Sequence, residues 1–154
     1  MRIVVAAVGK PRDAALAEAI HEYEGRASRY WPLETREVRA ESARSTAPDV
    51  VRQREATRLL EAVPPAARVV ACDLGGTNMT SEQFAQWLRL LREDATDVAF
   101  LLGGALGLGV EARSRAALRL ALAPWTLPHE LARLVLAEQL YRAGTIIRGE
   151  PYHK

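Results

Sequence analysis

The sequence has a single cysteine, Cys72, in 154 residues. One cysteine cannot form a disulfide within the chain, and it excludes a metal cluster built from cysteines. Long apolar runs are missing too, since no stretch approaches the roughly 20 apolar residues that a membrane-spanning helix needs. The first ten residues have no small-residue cleavage site of the kind that ends a secretory signal. These absences predict a cytoplasmic protein with no metal centre and no membrane contact.

Lysine is nearly absent, and arginine supplies every basic side chain except Lys10 and Lys154. The formal net charge is only +2, so its distribution is more informative than its size. Residues 111–154 hold seven Arg and Lys against four Glu, whereas residues 62–110 are net acidic. Arginine suits bidentate phosphate contacts, although a genomic codon bias explains the same excess. A polyanionic partner is therefore expected to contact the C-terminal third.

The order of apolar segments predicts the fold class. Short strand-like runs occur at residues 3–8, 33–38, 68–74, 98–102 and 118–122. Helical patterns lie between and after them. Three cover residues 13–30, 48–63 and 128–147. Another begins after a cap at Thr80 or Ser81, and a short one contains Ala112 and Arg115. Residues 75–78 read as a turn. The alternation predicts one α/β domain over residues 1–154, with a mainly parallel sheet covered by helices on both faces.

Two loops at predicted strand ends are candidate ligand sites, because parallel sheets bind ligands at the carboxyl ends of their strands. The first, residues 103–109, holds four glycines in seven residues and follows the most apolar strand. The second, residues 123–129, is apolar with two prolines and could wall a pocket for a flat ring. Both loops could instead be plain connections between a strand and a helix.

Residues 107–112 formally match the G-x-G-x-x-G/A fingerprint of dinucleotide-binding proteins. The fingerprint belongs at the first strand-to-helix turn, with an acidic residue at the end of the next strand. Here the turn comes late, and the next strand runs into Ala-Pro-Trp-Thr. Nicotinamide or flavin binding therefore stays a minor alternative.

The last helix and the tail carry side chains suited to RNA chemistry. Glu138 and Arg142 are four residues apart on one helical face, a spacing typical of a surface ion pair. Beyond them, Tyr152 offers a stacking face and His153 can transfer protons near neutral pH. The stripe of Leu136, Leu140, Ala143 and Ile147 fits either a subunit interface or packing on the chain's own sheet.

Four ordered motifs carry a family resemblance. They are LLGGALG at residues 101–107, LPHELAR at 127–133, EQLYRA at 138–143 and GEPYHK at 149–154, with Val8-Gly9-Lys10 at the start. Together, and over the full length, they resemble the ribosomal RNA large subunit methyltransferase H family of the SPOUT class. The resemblance implies an α/β fold with a C-terminal trefoil knot and a homodimer. It also implies methyl transfer from S-adenosylmethionine to N3 of a pseudouridine in large-subunit ribosomal RNA, within the assembled ribosome.

The resemblance further implies the site residues. The cofactor-binding set is Cys72, Gly103, Leu122, Ala123, Pro124, Trp125, Thr126 and Leu127. The resembled family implies leucine where this chain has Cys72, and a thiol is a small hydrophobe that can fill the same role. In the catalytic set, His153 is expected to accept the N3 proton, Tyr152 to stack on or hydrogen-bond the flipped base, and Arg142 to donate to a carbonyl or phosphate. A Rossmann-type nucleotide enzyme and a non-catalytic ribosome-binding dimer are the alternatives.

Overall fold

The computed structural model describes the backbone of residues 1–153 and the side chains of residues 1–152. Within them, strands and helices alternate in chain order as β1 (Ile3–Val8), α1 (Ala14–Ala27), β2 (Leu33–Val38), α2 (Pro48–Glu61), β3 (Arg68–Asn78), α3 (Ser81–Glu93), β4 (Val98–Leu102), α4 (Val110–Arg115), β5 (Leu118–Ala121) and α5 (His129–Arg148). A short 3-10 turn, Pro151–His153, follows α5. The predicted alternation is confirmed, and of the two predicted caps Thr80 is the one that begins α3.

The strands form one sheet in the order β2-β1-β4-β3-β5, and every neighbouring pair is parallel. Every residue of β1 and β4 is buried, which explains why these two segments are apolar throughout instead of alternating. The edge strand β2 alternates between half-buried and exposed side chains. The α/β prediction with a parallel sheet is therefore confirmed, while the trefoil knot stays a prediction.

Two apolar cores cover the two faces of the sheet. One contains Ala27 of α1, Leu88 of α3 and Leu136 of α5, and the other contains Leu59 of α2 and Ala112 of α4. In α5, Leu136, Leu140 and Ala143 are at most 1% exposed and belong to the first core. This part of the predicted stripe therefore packs on its own sheet and is not a free interface.

Strand β3 corrects the prediction that a turn follows residue 74. Its pairing with β5 shifts in register between Cys72 and Thr77, so that both residues lie opposite Leu120. The segment between them bulges, and the chain then returns to the sheet. Gly76 permits this, because a Cβ there would lie 2.6 Å from the backbone carbonyl carbon of Arg119. Gly-Gly-Thr-Asn reads as a turn locally, but pairing with β5 keeps it in the strand.

Candidate active site

A large cavity lies where the sequence predicted ligand binding, at the bulge of β3, at the carboxyl end of β4 and beyond β5. Its volume is about 590 Å³, within the usual range for small-molecule sites. The walls come from residues 72–74, the glycine-rich turn after β4, and the loop between β5 and α5. Most of its lining is apolar, with Leu102, Leu108, Leu122 and Leu127 among the side chains. The cavity can therefore hold a ligand with a flat or apolar part. We call it the main cavity.

The glycine-rich turn folds back tightly against itself. Gly104 and Gly107 form an isolated antiparallel bridge, and the amide of Gly107 donates to the carbonyl of Gly104 at 3.0 Å. A Cβ on Gly103 would lie 2.6 Å from the carbonyl carbon of Gly107 and 2.8 Å from the amide nitrogen of Leu108. Both are backbone atoms and cannot swing away. Position 103 therefore requires glycine if the turn is to keep this shape beside the cavity.

The loop between β5 and α5 is fixed at its C-terminal end. Glu130, in the first turn of α5, accepts a hydrogen bond from the amide of Arg12 at 2.8 Å. One turn later, Arg133 is 7% exposed and donates to Glu24 at 2.8 Å and to Glu37 at 2.7 Å. These bonds join the start of α5 to α1, to β2 and to the loop between β1 and α1. They hold the end of the cavity loop against the sheet.

Cys72 contributes an uncharged wall to the main cavity. Burial raises the pKa of its thiol from 9.0 to about 12, and the neighbouring charge of Asp73 acts in the same direction. Asp73 itself accepts from Nε of Arg119 at 3.0 Å, so its charge is paired at the rim. At neutral pH the thiol is protonated, and the side chain acts as a small apolar group. Cys72 can therefore pack against the apolar part of a ligand in the main cavity.

Seven of the eight predicted cofactor residues line the main cavity. They are Cys72, Gly103, Leu122, Ala123, Trp125, Thr126 and Leu127. Pro124 is not among the lining residues. It lies in the same loop, between two residues that do line the cavity.

The sequence prediction also missed some of the cavity's walls. Leu74 is 52% exposed and His129 begins α5, and both were left out of the predicted set. His129 stood at the end of the loop that was singled out, so that signal was available. For Leu74 no signal was available, because the bulge in β3 that brings it to the rim is not visible in the sequence.

Glu138 is the centre of a second cluster, formed by α5 and the tail. It accepts from Nε of Arg142 at 2.9 Å and from the hydroxyl of Tyr152 at 3.1 Å. The guanidinium of Arg142 also lies 4.9 Å from the centre of the Tyr152 ring. The structure thus brings together two of the three predicted catalytic residues. It adds Glu138, which the spacing suggested only as an ion-pair partner. We call Glu138, Arg142 and Tyr152 the tail cluster.

The environment of Tyr152 favours its protonated form. Burial raises the pKa of its hydroxyl, and hydrogen bonds with Tyr23 and Glu138 raise it further. The Tyr23 hydroxyl lies 3.4 Å away, and the ring of Tyr141 is 4.5 Å from that of Tyr152. With these partners the Tyr152 hydroxyl can serve as a hydrogen-bond donor, but not as a proton acceptor at neutral pH. The side chain of His153, the third predicted catalytic residue, lies outside the described residues.

Within one chain, the main cavity and the tail cluster are separate. Ala132 of α5 lines the cavity, while Arg142 is ten residues further along the same helix. At a rise of 1.5 Å per residue this is about 15 Å along the axis. Neither Arg142 nor Tyr152 belongs to the cavity lining. In one chain, seven of the predicted cofactor residues and two of the predicted catalytic residues therefore lie at two separate places.

The dinucleotide fingerprint does not fold as its motif requires. Its second glycine should let the backbone approach a pyrophosphate. Here that residue, Gly109, faces α2, and a Cβ on it would lie 2.6 Å from the carbonyl oxygen of Arg52. In the part of the chain that the structure describes, no group of three His, Cys, Asp or Glu side chains could hold a metal ion. None of the described helices is long and apolar enough to cross a membrane.

Comparisons with known proteins show the family to which the chain belongs. A family model described as "Predicted SPOUT methyltransferase" matches residues 1–153. The chain is 62% identical over 154 residues to a ribosomal RNA large subunit methyltransferase H from Gemmatimonas aurantiaca, with both chains covered completely. A protein of the same name from Rhodospirillum centenum is 46% identical, covering all of this chain and 99% of its own. Another, from Clostridium kluyveri, is 39% identical over the whole of both chains.

Proposed function

Because this chain belongs to the SPOUT methyltransferase family, we propose that it transfers a methyl group from S-adenosylmethionine to N3 of a pseudouridine in large-subunit (23S) ribosomal RNA. The chain is an enzyme of the methyltransferase class, and its relatives are named for action on ribosomal RNA of the large subunit. The observation that carries the proposal is the apolar cavity of about 590 Å³, walled by the glycine-rich turn and by the loop of residues 122–128.

The residues of the main cavity fit S-adenosylmethionine. When bound, this co-substrate supplies a methyl group already activated on a positively charged sulfur. The neutral Cys72 thiol and the leucine side chains suit the adenosyl part, and the tight turn at Gly103 lets the backbone approach closely. Among the described residues, no lysine or arginine lines the cavity, so neither would repel a sulfonium there. The chain's task is then to hold the donor and exclude water.

The tail cluster suits the RNA side of the reaction. In this proposal Tyr152 stacks on or hydrogen-bonds the target base, and Arg142 donates to a base carbonyl or a phosphate. Glu138 holds both side chains in place, because it accepts hydrogen bonds from each of them. His153 remains the proposed acceptor for the N3 proton. Since the Tyr152 hydroxyl keeps its proton, that role falls to another group.

We also propose that the enzyme works as a homodimer. Methyl transfer needs the reacting atoms within about 3–3.5 Å of each other, whereas the cavity and the tail cluster lie about 15 Å apart along α5. Two subunits related by a twofold axis could place the tail of one at the cavity of the other. The proposed setting is the assembled ribosome in the cytoplasm, where two tails and two basic C-terminal segments would face the RNA.

Mixed dimers test the pairing. One subunit would carry Gly103→Ala, which damages the cavity, and the other would end at residue 151 and so lack the tail. If sites form across the dimer, one site per mixed dimer is intact, and a random one-to-one mixture recovers about a quarter of the parental methyl transfer. If each chain builds its own site, no intact site exists and the mixture stays inactive.

Two measurements separate this function from the alternatives. Calorimetry should show binding of S-adenosylmethionine and not of NAD, whereas a Rossmann-type enzyme would give the reverse. Labelled methyl transfer should occur to intact ribosomes that lack the modification, and be far weaker to naked ribosomal RNA. A protein that binds ribosomes but transfers no methyl group to them would be the non-catalytic dimer.

A further inference from the structure

A second cavity of about 360 Å³ adjoins the main one on the other side of the glycine-rich turn. It lies between the loop that follows β1, the loop that follows β2, and the side of α2. Gly104, Ala105 and His129 line both cavities. A ligand in the second cavity would therefore lie beside whatever the main cavity holds.

The second cavity contains a buried carboxylate that lacks a hydrogen-bond donor. Glu55 is 4% exposed, and its Oε1 accepts from the amide of Glu41 at 2.9 Å. Its Oε2 is buried with no hydrogen-bond partner in the part of the chain that the structure describes. A buried carboxylate oxygen without a donor is costly, because it has lost its water. The last torsion of a glutamate side chain is soft, so a small rotation would bring Oε2 to a ligand in the cavity.

Two cations line the same cavity. Lys10 and Arg12 are exposed, and among the described residues neither side chain forms an ion pair. The other lining carboxylate, Glu41, is already paired with Arg54 and with Arg58, the latter at 2.6 Å. The nearby guanidinium of Arg58 also holds the pKa of Glu41 below its ordinary value. The cavity thus presents two free positive charges beside one carboxylate oxygen that needs a donor.

We propose that this second cavity binds one nucleotide of the substrate RNA next to the target, with its phosphate on Lys10 and Arg12 and its ribose 2′-hydroxyl donating to Glu55. A ribonucleotide is the ligand class that brings an anion and a hydroxyl donor together at this size. The inference rests on the proposed function, which makes RNA the substrate. It also places RNA contacts in the N-terminal third, whereas the charge distribution had predicted them only in the C-terminal third.

Nucleotide titrations followed by NMR amide shifts test the proposal on the full chain without using its activity. Uridine 5′-monophosphate should shift the amides of Gly9, Lys10, Glu41 and Gly104. The 2′-deoxy nucleotide should bind roughly tenfold more weakly, since a hydrogen bond to a charged group is lost. Inorganic phosphate alone should be weaker still. Shifts confined to residues 122–127, or equal affinity for all three probes, would overturn the assignment.

Three variants assign the contacts. Glu55→Met keeps the length of the side chain but removes both oxygens, so it should bind the ribo- and deoxynucleotide equally. Lys10→Ala with Arg12→Ala should reduce the slope of log affinity for ribosomes against log salt by about 0.7, the value for one neutralised phosphate on a single strand. Arg68→Ala is the matched control, because this exposed arginine begins β3, at the amino end of the parallel strands and away from both cavities.

The outcomes are distinguishable from a failure of the proposed function. Calorimetry with S-adenosylmethionine should give the parental affinity for all these variants, which shows that the main cavity is intact. If nucleotide binding is as described but ribosomes are not methylated, the proposed function fails while the second site stands. If Glu55→Met still discriminates between the two nucleotides, or the double variant keeps the parental salt slope, the second site is wrong.

Discussion

Substitution of Gly103 by alanine tests whether the glycine-rich turn shapes the main cavity. The added Cβ would lie 2.6 Å from the carbonyl carbon of Gly107, 2.8 Å from its oxygen and 2.8 Å from the amide nitrogen of Leu108. All three are backbone atoms, so relief requires the turn itself to open. Overpacking of this kind costs about 1–3 kcal/mol of folding stability. For a chain of this size, that lowers Tm by about 2–12 °C.

The effect on ligand binding should exceed the effect on folding. An opened turn moves the wall of the cavity, and we expect the Kd for S-adenosylmethionine to rise at least tenfold, about 1.4 kcal/mol. Calorimetry at a temperature well below the lowered Tm measures this on folded protein. The matched control is Gly25→Ala in α1, where no atom lies within 4 Å of the added Cβ. It should raise stability by about 0.5–1 kcal/mol and leave the Kd unchanged.

Two results would refute the reasoning. If Gly103→Ala bound S-adenosylmethionine with the parental Kd and melted at the parental Tm, the close approach of Gly103 to residues 107 and 108 would not be what shapes the cavity. A lower Tm with an unchanged Kd would equally contradict the claim that this turn is a cofactor wall.

Three further predictions concern other parts of the protein. Because its pKa is raised from 9.0 to about 12, Cys72 should react with iodoacetamide at pH 8 about 30-fold more slowly than a free cysteine. Its thiolate fraction is about 1000-fold lower, and the greater nucleophilicity of a more basic thiolate recovers part of that loss. Mass spectrometry measures the rate, and a rate equal to that of the free thiol would contradict the neutral state of Cys72. Tyr152→Phe removes a donor to Glu138 but keeps the ring, so kcat should fall tenfold or more while the Kd for S-adenosylmethionine stays unchanged. In the parental enzyme, burial and hydrogen-bond partners raise the pKa of Tyr152. Ionisation of its hydroxyl should therefore cause no loss of activity between pH 8 and 10. Arg133→Met leaves Glu24 and Glu37 without their shared partner, so the free energy of unfolding should fall by about 3 kcal/mol. Urea unfolding measures this change. A decrease below about 1 kcal/mol would show that the pairing of Arg133 with the two glutamates is not stabilising.

Much of the fold could be predicted because the central strands are apolar throughout. In β1 and β4 every side chain is buried, so the sequence reads as uninterrupted hydrophobic runs, and the predicted bounds match the observed ones. The end of β3 could not be predicted, because local chemistry and long-range pairing disagree there. Gly75 to Asn78 favour a turn by composition, but pairing with β5, more than 40 residues later, keeps this segment in the strand.

The site divides in the same way. The walls of the main cavity followed from the rule that ligands bind where parallel strands end, and seven of eight predicted residues line it. In the tail cluster, the four-residue spacing predicted the pair of Glu138 and Arg142, but it could not show the contact of Tyr152 with Tyr23, which comes from the other end of the chain. A ligand-binding role for Glu55 could not be predicted from the sequence either, because a glutamate in a polar helix is usually a surface residue, and only the structure shows that this one is buried.

The central claim is methyl transfer to N3 of a pseudouridine in ribosomal RNA, and identification of the product nucleoside tests it most directly. Ribosomes lacking the modification would be incubated with the protein and S-adenosylmethionine carrying a labelled methyl group, and the large-subunit RNA digested to nucleosides. We predict one labelled product with the chromatographic and mass-spectrometric properties of 3-methylpseudouridine. Label on any other nucleoside, or no label despite normal binding of S-adenosylmethionine, would contradict the account.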